Sequence, residues 1–320
     1  DLRLNFDTSF TGKDLLRTRL RSGNFSSDPF GSSSSLFKLD KAETTANQVE
    51  IDRLYYQFPV GKSVTLTAGP LVRNTEMSWV PSVYKSEILD FFAVAGTPGV
   101  YNKATGAGFG AQWKQPTQKG KGGLVASLNY VAQEGEFSDT GVFDSDGALN
   151  LLAQVGYRAP QWGVAVGYRY GGENTRPRTY NGLLGANGTL LDGQESNSVA
   201  LNAYWQPAQS GWVPSVSAGY GYNSVNGATG KTDATNSDSW FVGLQWSDVF
   251  VAGNSAGVAV GQAPSAETAG VSDATMIEIF YKYQVTDNIS ITPALFYVDN
   301  NQRYQNSSRW GGVVQTKFTF

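Results

Sequence analysis

The sequence predicts an all-β chain that crosses a membrane as an antiparallel barrel of about sixteen strands. Segments of about ten residues alternate between apolar and polar side chains, and the connections between them alternate between short and long. The chain also stops on an aromatic residue, Phe320, in an alternating strand. A membrane barrel has such strands because each residue that faces lipid is followed by one that faces the interior.

The last strand shows the alternation most clearly. Val314, Thr316, Phe318 and Phe320 lie on one face, and the residues between them lie on the other. An amphipathic strand that closes a soluble β-sandwich would have the same pattern, so this segment alone leaves both folds open. The strands and connections upstream favour the barrel.

Composition and charge restrict the class of protein. The 320 residues include no Cys and no His, and the formal net charge is −3. The sequence has no apolar run of about 18 residues, the length that a membrane-spanning helix needs. An absence of Cys is typical of a periplasmic or outer-membrane protein. The negative net charge argues against nucleic acid as a partner.

Fifteen segments with a period of two follow one another along the chain. They lie at residues 2–10, 16–21, 49–58, 64–71, 105–114, 124–130, 149–157, 164–170, 199–205, 216–222, 240–246, 256–260, 277–283, 289–298 and 310–320. Single-chain bacterial barrels have an even number of strands, so the first and last of fifteen would have to close in parallel. We therefore expect one further strand upstream of Asp1.

The connections differ in length on the two sides of the predicted sheet. The short turns are residues 11–14, 59–63, 115–122, 160–162, 207–212, 247–254 and 286–288. The long loops are residues 23–48, 72–104, 131–147, 171–196, 223–238, 262–273 and 299–309. Outer-membrane barrels have short periplasmic turns and long extracellular loops, and a soluble up-and-down barrel has no reason to keep this asymmetry.

Aromatic residues cluster near the predicted strand ends. Tryptophans 113, 162, 205, 212 and 246 lie near short turns, and two others begin strands after long loops; the predicted aromatic girdle is Trp113, Trp162, Trp205, Trp212, Trp246, Trp240, Trp310 and Phe320. Amphipathic rings prefer the level of the lipid headgroups, which predicts an inner and an outer girdle. The alternative is that these aromatics only stabilise strand ends.

Three segments resemble a known family. Arg3–Leu20, Leu54–Phe58 and Ser86–Pro98 resemble segments of the cyanobacterial major outer-membrane porins, which are often named iron uptake porins and are related to the OprB carbohydrate-selective porins. The resemblance covers essentially the whole chain, so residues 1–320 are interpreted as one barrel domain. It implies a location in the outer membrane of a Gram-negative-type bacterium, with lipid as the surroundings.

The resemblance also implies features that this sequence does not contain. Family members usually carry an S-layer-homology domain, which holds peptidoglycan, and a coiled coil ahead of the barrel, and one strand normally precedes the segment at Arg3. General porins of this size usually form trimers. Small outward residues in the strands at 107–111 and 256–260 would permit close contact between barrels, so we expect a homotrimer.

Catalytic chemistry has little support in the sequence. Without His, the histidine general base of outer-membrane phospholipases and omptin-type proteases is missing. Without His and Cys, the usual ligands of zinc, copper and haem are missing too. Catalysis by carboxylates alone stays formally possible, but such pairs in a barrel more often line the lumen. We expect no catalytic residue, no metal and no cofactor.

Three arginines at a spacing of two predict a basic lumen wall. Arg17, Arg19 and Arg21 project from the face opposite the apolar one, and Arg3 on the preceding strand points the same way. On the lipid face each arginine near the midplane would cost about 2–4 kcal/mol, so we place them inside. Other predicted lumen charges are Asp7, Glu50, Asp52, Arg158 and Arg169. Alternatively, the arginines only neutralise neighbouring carboxylates.

The connection at residues 72–104 is predicted to be a constriction loop inside the barrel. Ser86 resembles a helix N-cap, with Glu87 in the first turn and Asp90 beyond it. With Glu76, these two acids would face the basic wall across the narrowest section, and opposite charges there would filter ions by charge. The alternative is a surface helix that covers the mouth of the barrel.

The sequence leaves two classes of function open. The first is a channel for passive diffusion of inorganic ions and small hydrophilic solutes, since about sixteen strands leave an aqueous passage unless something fills it. The second is a structural barrel, blocked by its loops, that tethers the outer membrane to the peptidoglycan. A carbohydrate-selective channel would need aromatics along the lumen, for which Phe241, Phe280 and Phe296 are scattered candidates.

Overall fold

The computed structural model of the chain describes residues 1–26, 36–135, 137–139, 141–144, 147–178, 189–227, 236–266, 274–301 and 307–320. In this part, fifteen strands form one antiparallel sheet in which neighbours in space are neighbours in sequence, which confirms the predicted fold class. The strands are β1 (Leu2–Thr8), β2 (Leu15–Ser22), β3 (Glu50–Val60), β4 (Val64–Arg73), β5 (Thr105–Lys114), β6 (Gly123–Ala132), β7 (Leu149–Arg158), β8 (Trp162–Gly171), β9 (Glu195–Trp205), β10 (Ser215–Asn226), β11 (Asn236–Ser247), β12 (Ser255–Ala266), β13 (Thr275–Thr286), β14 (Ile289–Asn301) and β15 (Ser307–Phe318).

The sheet curves around one of its own connections. Residues 74–104, between β4 and β5, contact Arg53 of β3, Glu278 of β13 and Lys317 of β15. A single connection can reach strands so far apart in the sheet only if the sheet surrounds it. We call residues 74–104 the inner loop; its position inside the barrel agrees with the predicted fold.

Side chains alternate between the two faces of the wall. In β9, Val199, Leu201 and Trp205 are exposed on the outside, whereas Ala200 and Asn202 are buried on the inside. The neighbouring strands pair with β9 in register, so their outward residues form one apolar surface. This is the surface that the sequence analysis expects to face lipid.

The first turn begins earlier than the apolar pattern predicts. The alternating series runs to Phe10, but β1 ends at Thr8 because Asp14 gathers the following residues into a turn. Its Oδ1 accepts hydrogen bonds from the hydroxyl and the amide of Thr11, at 2.6 and 2.7 Å, and its Oδ2 accepts one from the hydroxyl of Tyr56 at 2.6 Å. These bonds hold the pKa of Asp14 well below its usual range.

The inner loop contains a 3-10 turn at Asn74–Glu76 and one helical turn, α1, at Asp90–Ala93. The predicted N-cap at Ser86 is wrong. Glu87 adopts a φ of 56°, which is left-handed, and the residue that precedes α1 is Leu89. Within the described ranges, no helix is long and apolar enough to cross a membrane.

The main apolar core lies between the inner loop and one side of the wall. Tyr84, Phe91 and Phe92 of the loop pack with Phe241 of β11 and Phe280 of β13, and all five side chains are almost fully buried. Full burial of a large apolar side chain contributes about 1.5–3 kcal/mol. The inner loop is therefore part of the folded core.

Candidate functional site: the barrel interior

The first half of the inner loop, residues 77–89, is bound to the wall through its backbone. Three inward side chains accept hydrogen bonds from loop amides, and each belongs to a different strand. The pairs are Trp79 N with Gln154 Oε1 of β7 at 3.2 Å, Val83 N with Ser217 Oγ of β10 at 2.9 Å, and Lys85 N with Gln245 Oε1 of β11 at 2.6 Å. These bonds replace the water that an exposed loop backbone would bind.

The tip of the inner loop is held by a carboxylate of the wall. Glu278, in the first half of β13, is fully buried. Its Oε1 accepts a hydrogen bond from the hydroxyl of Tyr84 at 2.9 Å, and its Oε2 accepts one from the backbone amide of Leu89 at 2.8 Å. A buried carboxylate is stable only when hydrogen bonds replace its hydration, and here the loop supplies them.

The returning half, residues 91–104, is bound in the same way. Asn202 Nδ2 of β9 donates to the carbonyl of Ala95 at 3.0 Å. The fully buried guanidinium of Arg169, on β8, donates through Nε to the carbonyl of Gly99 and through Nη1 to Asn150 Oδ1 at 3.0 Å. The predicted lumen charge Arg169 thus lies beneath the loop.

Glycines on the inner face let the loop approach the wall closely. A Cβ atom at Gly243 of β11 would lie 2.8 Å from the ring of Tyr84, and one at Gly163 of β8 would lie 2.7 Å from the ring of Trp79. At Gly219 of β10 it would collide with the carbonyl of Ala95. A larger residue at any of these positions would clash with the inner loop in its present position.

Asp90 lies in a buried ion cluster and does not face the basic wall as the sequence analysis expected. Its carboxylate pairs with Lys103 Nζ at 2.6 Å and with the guanidinium of Arg178, and Lys103 also binds Asp40. Burial acts to raise the pKa of Asp90, but Arg178 and Lys103 outweigh it and hold the pKa below its usual range. The charge of Asp90 is neutralised by the elements that surround it.

The arginines of β2 and Arg3 of β1 project into the interior, and each is paired with a carboxylate. The ion pairs are Arg17 Nη2 with Asp7 Oδ2 at 2.6 Å, Arg19 with Asp52, Arg21 Nη2 with Asp1 Oδ2 at 2.9 Å, and Arg3 Nη2 with Asp1 Oδ2 at 2.8 Å. The exposed fraction of the side chain falls from 30% at Arg17 to 7% at Arg21. Neutralisation of neighbouring carboxylates and lining of a passage are both compatible with this arrangement.

The two other predicted constriction acids contact basic groups of the wall. Glu76 Oε1 accepts a hydrogen bond from Arg53 Nε of β3 at 2.9 Å. Glu87 Oε2 lies 3.3 Å from Lys317 Nζ of β15, and its Oε1 lies 3.4 Å from Lys41 Nζ. Burial acts to raise the pKa of Glu87, but Lys41 and Lys317 outweigh it and lower the pKa. Neither acid is bound to Arg17, Arg19 or Arg21 in these pairs.

The remaining predicted lumen charges lie in different surroundings. Arg158 is exposed near the end of β7, with its guanidinium 5.6 Å from the ring centre of Trp79. Glu50 is exposed at the start of β3, and Asp52 lies at a bulge of the same strand, where it also binds Arg53.

The predicted girdle tryptophans lie on strands, several of them near a strand end, except Trp212, which lies in a connection. Trp162 and Trp205 are direct partners in register on the outside of β8 and β9. Trp246 Nε1 donates to the carbonyl of Trp212 at 2.9 Å, and Trp240 Nε1 donates to a glutamine of β12. Others lie outward at strand positions or at the chain end: Trp113 on β5, Trp310 on β15, and Phe320 beyond it. Their role as membrane anchors stays a prediction.

The aromatic candidates for a sugar path are covered. Phe241, Phe280 and Phe296 are almost fully buried in the core beneath the inner loop, and Phe296 also packs against Phe37 at a ring-centre distance of 5.8 Å. Their rings are occupied by protein contacts.

Sequence reasoning identified Arg169 as an inward residue but missed most of the others that bind the inner loop. Glu278 had a usable signal, because a carboxylate between Ile277 and Ile279 in an alternating strand must point inward. Arg53 and Asn202 had none, since their partners are more than twenty residues away in sequence.

An antiparallel barrel with an apolar outer surface and a long loop bound inside it defines an outer-membrane protein of the porin class. A family model described as "Carbohydrate-selective porin, OprB family" matches residues 1–320, and the chain belongs to this family. Its location is the outer membrane.

The relatives are cyanobacterial. Uncharacterized proteins of Synechocystis sp. and Nostoc sp. are 27% and 30% identical to the chain over its whole length. The chain covers 63% and 60% of these two proteins, so it spans less than two thirds of their length.

Solved porins share the fold at low identity. OprB of Pseudomonas putida has a TM-score of 0.63 and 10% identity, with 99% of this chain and 87% of that chain covered. OmpF of Salmonella typhi has a TM-score of 0.59 and 13% identity, with 98% and 88% covered.

Proposed function

We propose that the chain forms a channel for passive diffusion of inorganic ions and small hydrophilic solutes across the outer membrane. The observation that carries this proposal is the contrast in exposure on the inner wall. Most inner residues of β6–β14 that lie beside the inner loop are buried, whereas Asn5 and Asp7 of β1 and Lys317 of β15 are exposed to water. The passage therefore runs along β15, β1 and β2.

Charges of both signs line this strip. Arg17 and Asp7 are partly exposed on the wall side, and Glu87 and Lys317 connect the inner loop with β15. Because both signs are present, the preference for anions or cations is modest. The charges set up a transverse field across the passage more than a barrier to ions of one sign. Bulky neutral solutes are slowed mainly by size.

A carbohydrate channel is the second candidate, because it is what the description of the family names. A sugar needs exposed rings or polar groups along the strip. The phenylalanines that could have formed an aromatic path are buried, so sugars would depend on Arg17, Asp7 and their neighbours for hydrogen bonds. This arrangement favours small hydrophilic solutes in general over one sugar.

A structural barrel is the third candidate, because the loops fill much of the interior. Attachment to peptidoglycan would require a domain outside residues 1–320, as the resemblance to cyanobacterial porins implies. The tether and the channel are compatible with each other.

The proposal includes a homotrimer. The small outward residues suggested as contacts lie on β5 and β12, which are seven strands apart and therefore nearly opposite. In a closed ring of three barrels the two contacts of each subunit are only about 60° apart. One of the two patches, with its neighbouring strands, can form the interface, but not both. Chemical cross-linking of the purified barrel tests the trimer, and a monomer would contradict it.

Two measurements on the purified chain test the channel. Planar-bilayer recordings are expected to show stable single-channel steps, and reversal potentials in a salt gradient are expected to show weak selectivity. Liposome swelling with sugars of increasing size should give rates that fall smoothly with size. A folded barrel without conductance would refute the channel and favour the structural barrel. One sugar that permeates far faster than others of its size would favour a carbohydrate channel.

A further inference from the structure

The periplasmic turns differ in charge around the barrel. The first three turns, together with the last residue of β5, carry one acid, Asp14, and five lysines. These lysines are Lys13, Lys62, Lys114, Lys119 and Lys121. The turns that follow β7, β9, β11 and β13 contain no basic residue and two acids, Asp248 and Asp287. One half of the periplasmic rim is therefore basic, and the other half is weakly acidic.

The backbone of the first three turns places lysines at the tips. Each of these turns has a glycine directly beside a lysine, and Gly12, Gly61 and Gly120 have φ angles of 76°, 65° and 81°. Glycine adopts this left-handed conformation without strain, so it makes the tight turn from which the neighbouring lysine projects. A Cβ atom at any of the three glycines would meet nothing within 4 Å beyond its chain neighbours, so the tips are surrounded by open space.

The five lysines, which we call the lysine rim, have no carboxylate partner within the chain. All five are exposed, and none of them forms an ion pair with the residues that the structure describes. The acid nearest to them in sequence, Asp14, is buried, and its oxygens accept hydrogen bonds from the hydroxyls of Ser9, Thr11 and Tyr56. The charge of the lysine rim is therefore available to a partner outside the chain.

Outward aromatic rings lie just above the lysine rim. The ring centre of Phe10 is 6.2 Å from that of Tyr56, which stacks on Phe58 at 5.5 Å, and Trp113 is exposed on the outside of β5. Such rings prefer the level of the lipid headgroups. The first lysine after Phe10, Phe58 and Trp113 follows within about four positions in each case, and a strand residue spans about 3.3 Å. The amines therefore lie beside the membrane surface.

The three lysine-bearing turns are close enough to act together. Neighbouring strands are about 4.8 Å apart, so successive turns on one side of a sheet are about 10 Å apart. The amide of Lys114 donates to the carbonyl of Ser63 at 2.9 Å, which links the end of β5 to the second turn. The Debye length at physiological salt is about 8 Å, so the fields of neighbouring turns overlap. The lysine rim is thus one positive band.

We propose that the lysine rim binds the anionic phosphate headgroups of phospholipids in the inner leaflet of the outer membrane. It holds a local shell of such lipids against the β1–β6 side of the barrel and leaves the opposite side without one. Lysine suits this partner because its ammonium is a point charge on a flexible stem that reaches a headgroup from an apolar surface. A cell-wall polymer would approach the turn tips from the periplasm, whereas the aromatic rings place these amines beside the bilayer.

A single fluorescent label tests the local lipid composition. The chain has no Cys, so Gln118→Cys in the third turn gives one labelling site, and Gln209→Cys in the turn after β9 gives the matched control; both positions are exposed. The labelled barrel is placed in phosphatidylcholine vesicles that contain a small fraction of nitroxide-labelled phosphatidylglycerol or nitroxide-labelled phosphatidylcholine. We expect phosphatidylglycerol to quench several-fold more strongly at position 118, and the two lipids to quench equally at position 209.

Removal of the charge tests the lysines themselves. In the labelled Gln118→Cys barrel, four substitutions are combined: Lys13→Gln, Lys62→Gln, Lys119→Gln and Lys121→Gln. This variant should lose the preference for phosphatidylglycerol, because an anionic headgroup then meets no positive charge. The same four lysines replaced by Arg should keep the preference. Molar salt should weaken it in the unchanged barrel, because the charges are exposed.

Two results would overturn the proposal. One is equal quenching by the two lipids at position 118, and the other is a preference that survives the four glutamine substitutions. Retention of the barrel on purified peptidoglycan that the glutamine variant loses, without a lipid preference, would assign the lysine rim to the cell wall instead. The readout does not use conductance, so a barrel that fails to conduct refutes the proposed channel and leaves this test intact.

Discussion

The two sides of the barrel wall have the same apolar outer surface, but their inner surfaces differ in charge and in exposure to water. From β6 to β14 the inner face carries mainly small, apolar or amide side chains, and the inner loop covers it. On β15, β1 and β2 the inner face carries Arg17, Asp7 and Lys317, which keep contact with water. The residues of the inner face therefore decide whether a given part of the wall becomes core or passage.

The difference has a simple physical reason. Burying an ionised side chain without partners is costly, whereas glycine, serine and asparagine let a loop backbone approach and bind. Glu278 and Arg169 are ionisable residues on the covered side, and both are compensated by hydrogen bonds to or near the loop. The charges of β2 instead pair with one another and stay partly hydrated.

The largest change in conductance is expected from a substitution on the covered side of the wall that displaces the inner loop. In Gly219→Leu the new side chain would occupy the position of the Ala95 carbonyl, so the returning half of the loop must leave the wall. Single-channel conductance should rise several-fold. Gly211→Leu is the control, because the space around Gly211 is open. A folded Gly219→Leu barrel with the original conductance would show that the loop is not the main restriction.

A smaller effect is expected from the carboxylate that holds the loop tip. Glu278→Leu leaves the hydroxyl of Tyr84 and the amide of Leu89 without their acceptor, which costs about 1–3 kcal/mol for each buried donor. The variant should unfold at lower urea concentration and show noisier open-channel current. Glu278→Gln keeps one acceptor oxygen and should lie between it and the original. Equal stability of all three would mean that Glu278 does not hold the tip.

On the open side, the charges should matter more than the packing. Replacing Arg17, Arg19 and Arg21 together by Gln should shift the reversal potential towards cations, most strongly at low salt, where screening is weak. Arg17→Gln alone should give the largest single shift, because Arg17 is the most exposed of the three and its loss leaves Asp7 unpaired. Arg17→Lys keeps the charge and should leave the potential almost unchanged. An unchanged reversal potential in the triple variant would place the three arginines outside the conduction path.

The smallest effect concerns pH at the boundary between the two sides. The charge of Arg178 first, and burial second, lower the pKa of Lys38 to about 8. Below that pH Lys38, which lies in the connection between β2 and β3, is charged. Above that pH the charge is lost, so the reversal potential should move towards cations as pH rises through the pKa. The unfolded chain keeps this proton to higher pH, so the stability of the fold rises with pH in the same window. Lys38→Gln should remove both dependences; if it keeps them, another group is responsible.

The sequence by itself determined the strands and their sidedness. A period of two with apolar residues on one face specifies which residues meet lipid, and the lengths of the connections specify which end of the barrel is periplasmic. The inward direction of Arg17, Arg19 and Arg21 followed from their spacing, which puts them on one face, and from the cost of arginine on the lipid face. These features are local, because each depends on neighbours within one strand or one turn.

Only the tertiary structure decided how the interior is filled. Glu87 and Asp90 were adjacent acids of one predicted helix, yet the first contacts Lys317 and the second is buried with Lys103 and Arg178. Residues 36–45, between β2 and β3, likewise gave no periodic signal: Asp40 bonds to Ile88 and Phe37 packs against Phe296, and both partners are distant in the chain. A pattern along one strand cannot specify which distant side chain lies opposite, because that depends on the curvature that brings strands as far apart in sequence as β3 and β13 to the same loop.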